Sequence, residues 1–482
     1  MKKRTIVLFR RDFRLFDNPA LLTAANRGAV LPVYIHDPAC EGDWQPGGAA
    51  KWWLHHALAD VKARLQQLGA DLLIEAGETA AVLLRLVEET GANTVYWNRR
   101  YEPAVRIHDA KLEHMLQNAG MEVHTFDSHL LLAPEAVHKG KGEPYKVFSA
   151  YHKAFQKHTV PAPLPKVKQI SSWTAASGLA LSDLQLLPAV PWTAGMERVW
   201  TPTEAGGYER LKLFLNRKLP RYSELRDFPA ISGNSSLAPY LAFGQLSPRL
   251  VHHYMMRKLP LQEKPGLQQE AESFLRQLVW REFSYHLLFH FPHTAAEPLQ
   301  PSFRAFPWRE DSALLDVWTK GQTGYPIVDA GMRELWETGF MHNRVRMIVA
   351  SFLVKHLLIP WQQGAAWFWD TLLDADLANN TMGWQWTAGS GADAAPYFRI
   401  FNPVTQGEKF DKEGEYVRRW VPELGSMPCK YIHKPWEAPE HVLLQADVAL
   451  GTTYPKPIVD HAAARVRALQ AYEEMKRTAS AN

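Results

Sequence analysis

Along the first 130 residues, short β-branched runs alternate with longer stretches whose apolar positions recur every three or four residues. Thr5–Phe9, Val30–Ile35, Leu72–Glu75, Thr94–Trp97 and Val123–Phe126 predict buried strands. Asn18–Asn26, Ala50–Leu68, Thr79–Glu89 and Pro103–Ala119 predict the helices between them. Gly28, Gly69, Gly91 and Gly120 each follow a helix, where a left-handed C-cap suits glycine. Such alternation builds an α/β doubly wound parallel sheet.

Residues 131–203 change character. Prolines at 134, 144, 161, 163, 165, 188, 191 and 202 interrupt any long element, so the segment reads as an interdomain linker with short helices, one near Phe148–Lys157. From about Glu204 strand patterns vanish. Tyr208–Lys218, Pro248–Lys258, Gln269–Phe289, Ser312–Lys320, Ile327–Gly339, Asn343–Leu358, Ala365–Leu373 and Ile458–Lys476 predict helices. The reading is therefore three parts: an α/β domain over 1–130, a linker over 131–203 and an all-α domain over 204–482.

Composition narrows the class. No run of about 18 apolar residues occurs, which argues against a membrane span, and the apolar part of the N-terminus is too short for a signal peptide. The two cysteines, Cys40 and Cys429, exclude a disulfide framework and a thiolate zinc site. A reducing cytosol and a cytoplasmic monomer are the expectations. The net charge of +4 permits a nucleic-acid partner without requiring one, so local arginine clusters matter more than the total. The 18 tryptophans pose a question: core packing, an aromatic ligand platform or a redox relay.

Common signatures are missing. The turn after the first strand is Phe9-Arg-Arg-Asp-Phe-Arg14 rather than a glycine-rich loop, and no Walker lysine, nucleophile elbow or zinc helix occurs. The sheet's strand ends can still receive a ligand by another geometry. His286, His290 and His293 have metal-like spacing but no carboxylate partner nearby, and no metal is expected.

Four segments carry chemistry. Asp374-Ala-Asp-Leu-Ala-Asn-Asn380 offers carboxylates and amides suited to the N–H groups, nitrogens and carbonyls of a heteroaromatic ring, although Asp374 and Asp376 could equally cap helix ends. Trp384 and Trp386 follow, and then a small-residue stretch, 388–399. In Asn343–Leu358 the packing stripe is Val345, Ile348, Val349, Phe352 and His356, with Asn343, Arg346 and Met347 on another face. A buried Arg346 needs a carboxylate, and Asp374 is the candidate. Gln277, Trp280, Arg281 and Ser284 share one side of a helix, where core packing explains the indole as readily as a pocket for a flat polar ring. Gly233-Asn-Ser-Ser-Leu-Ala238 resembles a phosphate cradle, a common and weak pattern.

Together these segments resemble the photolyase/cryptochrome family, closest to class I cyclobutane pyrimidine dimer photolyases. The carriers are Leu8–Leu15, Trp280–Phe283, Thr323–Ala330, Met341–Arg344, Asp374–Trp386 and Tyr397–Pro403. The resemblance implies an antenna domain followed by a helical domain holding FAD, whose reduced anion is the active form. It implies light-driven repair of UV-damaged DNA: an excited electron splits the pyrimidine dimer and returns. Tyr222 and the turn Asn234, Ser235, Ser236 and Leu237 would meet the ribityl–diphosphate part. Gln277, Arg281, Asn343, Arg346, Asp374, Asp376 and Asn380 would meet the flavin, with Asn380 near N5, where plant cryptochromes typically carry Asp.

The resemblance also implies a wall for a flipped dimer from Trp280, Trp386 and Met347, with Gln277 and Asn343 at the pyrimidine edge. Arg226, Arg344 and Arg399 would meet phosphates, and Trp384, Trp361 and Trp308 would relay electrons from the surface. Gln277 departs from the glutamate usual in the cyclobutane-dimer enzymes and matches (6-4) photolyases. Ser236 stands where the family usually has arginine. A second chromophore (a folate, a deazaflavin or a flavin) is possible, with no motif deciding among them. The alternatives are a cryptochrome-type sensor, disfavoured because no long tail follows the last helix, and a flavin or nucleotide protein without a DNA partner.

Overall fold

The computed structural model describes residues 3–173, 178–259, 265–393 and 398–481. Five strands, β1 (Lys3–Leu8), β2 (Gly28–His36), β3 (Leu73–Ala76), β4 (Thr94–Asn98) and β5 (Glu122–Phe126), form one sheet in the order β3-β2-β1-β4-β5. Every pairing is parallel, with Thr5 opposite Val30 on one side and Thr94 on the other. Helices α1 (Pro19–Arg27), α2 (Gly48–Gln67), α3 (Thr79–Thr90) and α4 (Pro103–Asn118) make the crossovers. Both faces of the sheet are covered: Val7 and Phe9 enter one core cluster, Ile6 and Leu8 another. That double burial is why β1, β2 and β4 read as near-continuous apolar runs, whereas β5, predicted buried, lies at the sheet edge and is only half-buried.

Gly69, Gly91 and Gly120 take the left-handed backbone expected of them. Gly28 does not. Its φ of 171° is extended, and the chain passes from α1 straight into β2. A side chain there would collide with the backbone of Lys3, so close strand approach, not capping, explains this glycine.

Beyond the sheet the chain is helical: α5 (Phe148–Phe155), α6 (Ala194–Val199), α7 (Glu204–Leu213), α8 (Tyr222–Leu225), α9 (Ala238–Ala242), α10 (Pro248–His253), α11 (Pro265–His290), α12 (Ser312–Thr319), α13 (Pro326–Thr338) and α14 (Asn343–Ser351). There follow α15 (Trp361–Thr371), α16 (Leu377–Ala388), α17 (Pro403–Phe410), α18 (Glu415–Trp420), α19 (Glu440–Gln445) and α20 (His461–Ala481). The predicted helices beginning at Tyr208, Pro248 and Asn343 each end in a π-helical turn, over Phe214–Lys218, Tyr254–Lys258 and Phe352–His356. The periodicity missed α6, α8 and α16 to α19.

The proline-rich segment is packed rather than loose. Its Leu131, Phe148, Tyr151, Val167 and Trp200 share a cluster with Val7 and Phe9 of the sheet and Phe214 and Phe283 of the helical part. Buried Glu282 of α11 accepts from the backbone N–H groups of Leu131 (2.9 Å) and Leu132 (3.3 Å). Both ring nitrogens of His286 engage backbone, the carbonyl of Pro134 and the N–H of Tyr145, so this histidine is a core residue.

The turn after β1 joins the two halves. Arg14, 1% exposed, donates to the carbonyls of Asp17, Ser128 and Gly244 at 2.9 to 3.0 Å. Phe13 N–H donates to Phe243 O. Gly244 lies at φ 63°, and a Cβ there would strike the backbone of Arg11. The bulky charged turn that replaces a phosphate loop is thus an interdomain joint.

Candidate active site

Helix α16 packs against α11, α14 and α15, and its first residues organise the site. Asp376 is its N-cap: Oδ1 accepts from the N–H of Asn379 (2.9 Å) and from Asn379 Nδ2 (2.8 Å), and Oδ2 accepts from the Tyr285 hydroxyl. Capping therefore engages Oδ1 of Asp376 while Tyr285 engages Oδ2, and the amide of Asn379 donates locally. Burial and the adjacent Asp376 carboxylate hold the Tyr285 phenol well above its ordinary pKa. It remains a donor.

Because 377–388 is helical, residues four apart share a face and residues two apart diverge. Asn380 and Trp384 lie on one face, Met382 and Trp386 on the other. Trp384 is buried and Trp386 half-buried. Asn380 donates through Nδ2 to Ala365 O at 3.0 Å, which leaves its Oδ1 as the uncommitted acceptor.

Asp374 precedes the cap. Arg346 donates through Nη2 to both of its oxygens, at 2.8 and 3.1 Å, and through Nε to Met341 O at 2.7 Å. Arg346 is only half-buried, whereas the Asp374 side chain is 6% exposed. On α14 the packing stripe Val345, Ile348 and Val349 is buried, Met347 is half-buried and Asn343 is exposed. His342 caps this helix by accepting from Arg344 N–H, and burial lowers its ring to about 4.

The α11 stripe divides. Gln277 and Trp280 stay half-buried, with Gln277 Nε2 donating weakly to Ser273 O at 3.3 Å. Arg281 instead turns to the sheet half, donating to His129 O (3.0 Å) and His129 Nε2 (2.8 Å). Its guanidinium is thus already engaged, so it supports the site from behind. His129 and Tyr285 continue that line to Asp376.

Around the turn after α8, Asn234 Nδ2 donates to Arg226 O, Ser236 is left-handed at φ 55°, and Leu237 N–H points to Ser235 Oγ at 3.4 Å. Lys218 Nζ donates to Asn234 O at 3.0 Å, placing a cation beside the turn that lacks the arginine. Tyr222 is buried edge-on against Phe214 and Phe274. Asp227 pairs with Arg344 at 3.0 Å, which brings this turn to the start of α14. Arg226 is half-buried and Arg399 exposed; Tyr397 and residues 394–396 lie outside the described residues.

Two contacts bear on the three relay candidates. A Cβ at Gly364 would collide with the Trp384 ring, so Trp384 crosses α15 one turn from Trp361. Arg309 N–H donates to Leu358 O at 2.8 Å, anchoring the chain next to Trp308 close to Trp361. Trp308 is partly buried against Phe306, with ring centroids 4.3 Å apart. Trp384 Nε1 is buried without a partner.

A family model described as DNA photolyase matches residues 5–168, and one described as the FAD binding domain of DNA photolyase matches 274–474. A deoxyribodipyrimidine photo-lyase of Agrobacterium fabrum is 48% identical over 98% of both chains. The chain belongs to the photolyase/cryptochrome family. Cryptochrome-2 of Arabidopsis thaliana is 40% identical, over 96% of this chain and 78% of that protein. A bacterial class III photolyase structure from Agrobacterium tumefaciens superposes with a TM-score of 0.95 at 47% identity, covering 99% of this chain and 98% of that one. The sequence motifs resemble class I, whereas that neighbour is named class III.

Sequence reasoning missed Tyr285, His129 and Arg11 around these carboxylates. No spacing rule links them to α16, because each arrives from a distant segment.

Proposed function

We propose that this chain is a deoxyribodipyrimidine photolyase: it binds FAD and uses blue light to split cyclobutane pyrimidine dimers in UV-damaged DNA. The observation that carries the reading is the orientation of Asn380. One Nδ2–H is committed to Ala365, which fixes the amide and leaves Oδ1 free to accept, on the face of α16 that also carries Trp384. Such an oxygen accepts from a protonated ring nitrogen and has no proton to give, which suits a reduced anionic flavin. When bound, FAD supplies the photoexcited electron that opens the cyclobutane ring and receives it back.

The protein supplies placement and electrostatics. Arg346 fixes Asp374 so that its free lone pairs can accept from a ring N–H, and the guanidinium adds positive charge beside an anionic ring. Tyr222 and the turn Asn234–Leu237 are the proposed seat of the ribityl–diphosphate part. Trp280, Trp386 and Met347 form the wall for a dimer leaving the duplex, an exit made cheaper by damage. Gln277 and Asn343 face its edge, and Arg226, Arg344 and Arg399 take the phosphates. Trp384, Trp361 and Trp308 form the electron relay.

The proposed organisation is an antenna domain over 1–130, a connector over 131–203 and a FAD and DNA domain over 204–482, acting as a cytosolic monomer. A cleft at the strand ends, lined by Arg10, Tyr34, His36, Glu41, Arg100 and His108, suits a second chromophore.

The test is to illuminate pre-reduced protein with oligonucleotides carrying a cyclobutane dimer or a (6-4) photoproduct. Loss of the cyclobutane dimer in light and not in darkness is expected. Preferential loss of the (6-4) lesion would assign Gln277 the other specificity. Flavin photochemistry without loss of either lesion would make the chain a cryptochrome-type sensor, like the less similar relative cryptochrome-2.

A further inference from the structure

Arg11 is buried, 8% exposed, and sits at φ 44°, a left-handed backbone that residues with side chains rarely adopt. Strain of this kind persists only where the surroundings over-determine it. The guanidinium lies over Phe243 and Trp369, 5.4 and 5.7 Å from their ring centres. Its Nη1 crosses from the sheet half and donates to Ala375 O at 3.1 Å, the carbonyl between Asp374 and Asp376. Its Nη2 stands 3.6 Å from Glu41, whose carboxylate is held by Arg100 at 2.8 and 3.2 Å.

We propose that Arg11 is a positioning residue for the flavin carboxylates. It holds the Ala375–Asp376 peptide, which lies between the two acidic side chains, and brings a cation of the sheet half to their backbone. Rotation of that peptide would swing Asp376 out of its cap and Asp374 away from Arg346. The inference rests on reading Asp374 as a flavin contact.

Two variants test it on the full chain. Arg11→Gly accepts the left-handed backbone without strain, so it removes the side chain and spares the main chain. Arg11→Lys keeps the charge and loses the planar fork. Arg11→Gly is expected to raise the FAD dissociation constant in darkness about tenfold, which is about 1.4 kcal/mol. It should also shift the flavin reduction potential to more negative values. Arg11→Lys should restore the potential in part but not the affinity. Asp374→Asn serves as reference. If it alters both quantities while Arg11→Gly and Arg11→Lys alter neither, the positioning role is overturned. If Asp374→Asn alters neither, the flavin assignment of Asp374 fails, and this inference fails with it.

Discussion

Trp280 lies flat on Phe148, with ring centroids 3.6 Å apart and planes 6° from parallel. Phe148 comes from α5 in the connector and Trp280 from α11, so the proline-rich strap backs one face of the indole and leaves only the rest for a base. Phe148→Ala should lower unfolding free energy by about 3–5 kcal/mol, the usual range for emptying a buried phenylalanine site. It should also weaken affinity for dimer-containing DNA more than for undamaged DNA. Equal weakening of both, read by competition binding, would mean that the stack serves packing alone.

Trp384 spans Gly364 and so approaches Trp361 through α15. Trp384→Phe should reduce light-driven reduction of oxidised flavin to a small fraction of the native rate, while pre-reduced protein still repairs. Transient absorption and a repair assay separate the two. Native photoreduction in this variant would remove Trp384 from the relay.

Arg399 is exposed, whereas Arg344 is tied to Asp227. Arg399→Ala should therefore flatten the dependence of log affinity on log salt by about 0.9 for duplex DNA, one phosphate contact. Arg344→Ala should change the slope less, because part of its charge is already compensated. Equal slopes for wild type and Arg399→Ala would exclude that phosphate contact.

Lys355 is 1% exposed, with Nζ 3.4 Å from the centre of the Phe398 ring and 3.2 Å from Arg399 O. Burial lowers its amine from 10.5 to about 7. Between those values the unfolded chain holds a proton that the folded protein lacks, so this residue makes stability rise with pH, by up to about 1.4 kcal/mol per unit. Lys355→Met should lose that rise. The difference between the denaturant midpoints of the two proteins should shift in the wild type's favour as pH increases from 7 to 10; a constant gap would show that the amine does not titrate there.

Much was readable from sequence. Parallel strands buried on both faces give uninterrupted apolar runs, and the intervening helices carry a clear stripe, so the α/β sheet and most helices follow from local pattern. Gly28 was misassigned because a glycine after a helix looks the same whether it caps the helix or admits a neighbouring strand. Helix α16 escaped because its large and polar side chains, Asn380 and Trp384 on one face and Trp386 on the other, blur the stripe. The Arg346–Asp374 pair could be anticipated since a poorly solvated guanidinium on an apolar helix needs a carboxylate.

By itself, the sequence determined the chemical inventory: an acid–amide segment and the indoles and arginines at positions that the family resemblance marks, because residue types and their order are local properties. Tertiary structure alone decided how that inventory is used. It committed Asp376 to a helix cap, aimed the Asn380 oxygen, drew Arg281 toward His129, backed Trp280 with Phe148 and brought Arg11 to the peptide between the carboxylates. Each of these depends on hydrogen-bond partners and close packing between segments far apart in the chain, and local propensity carries no record of them.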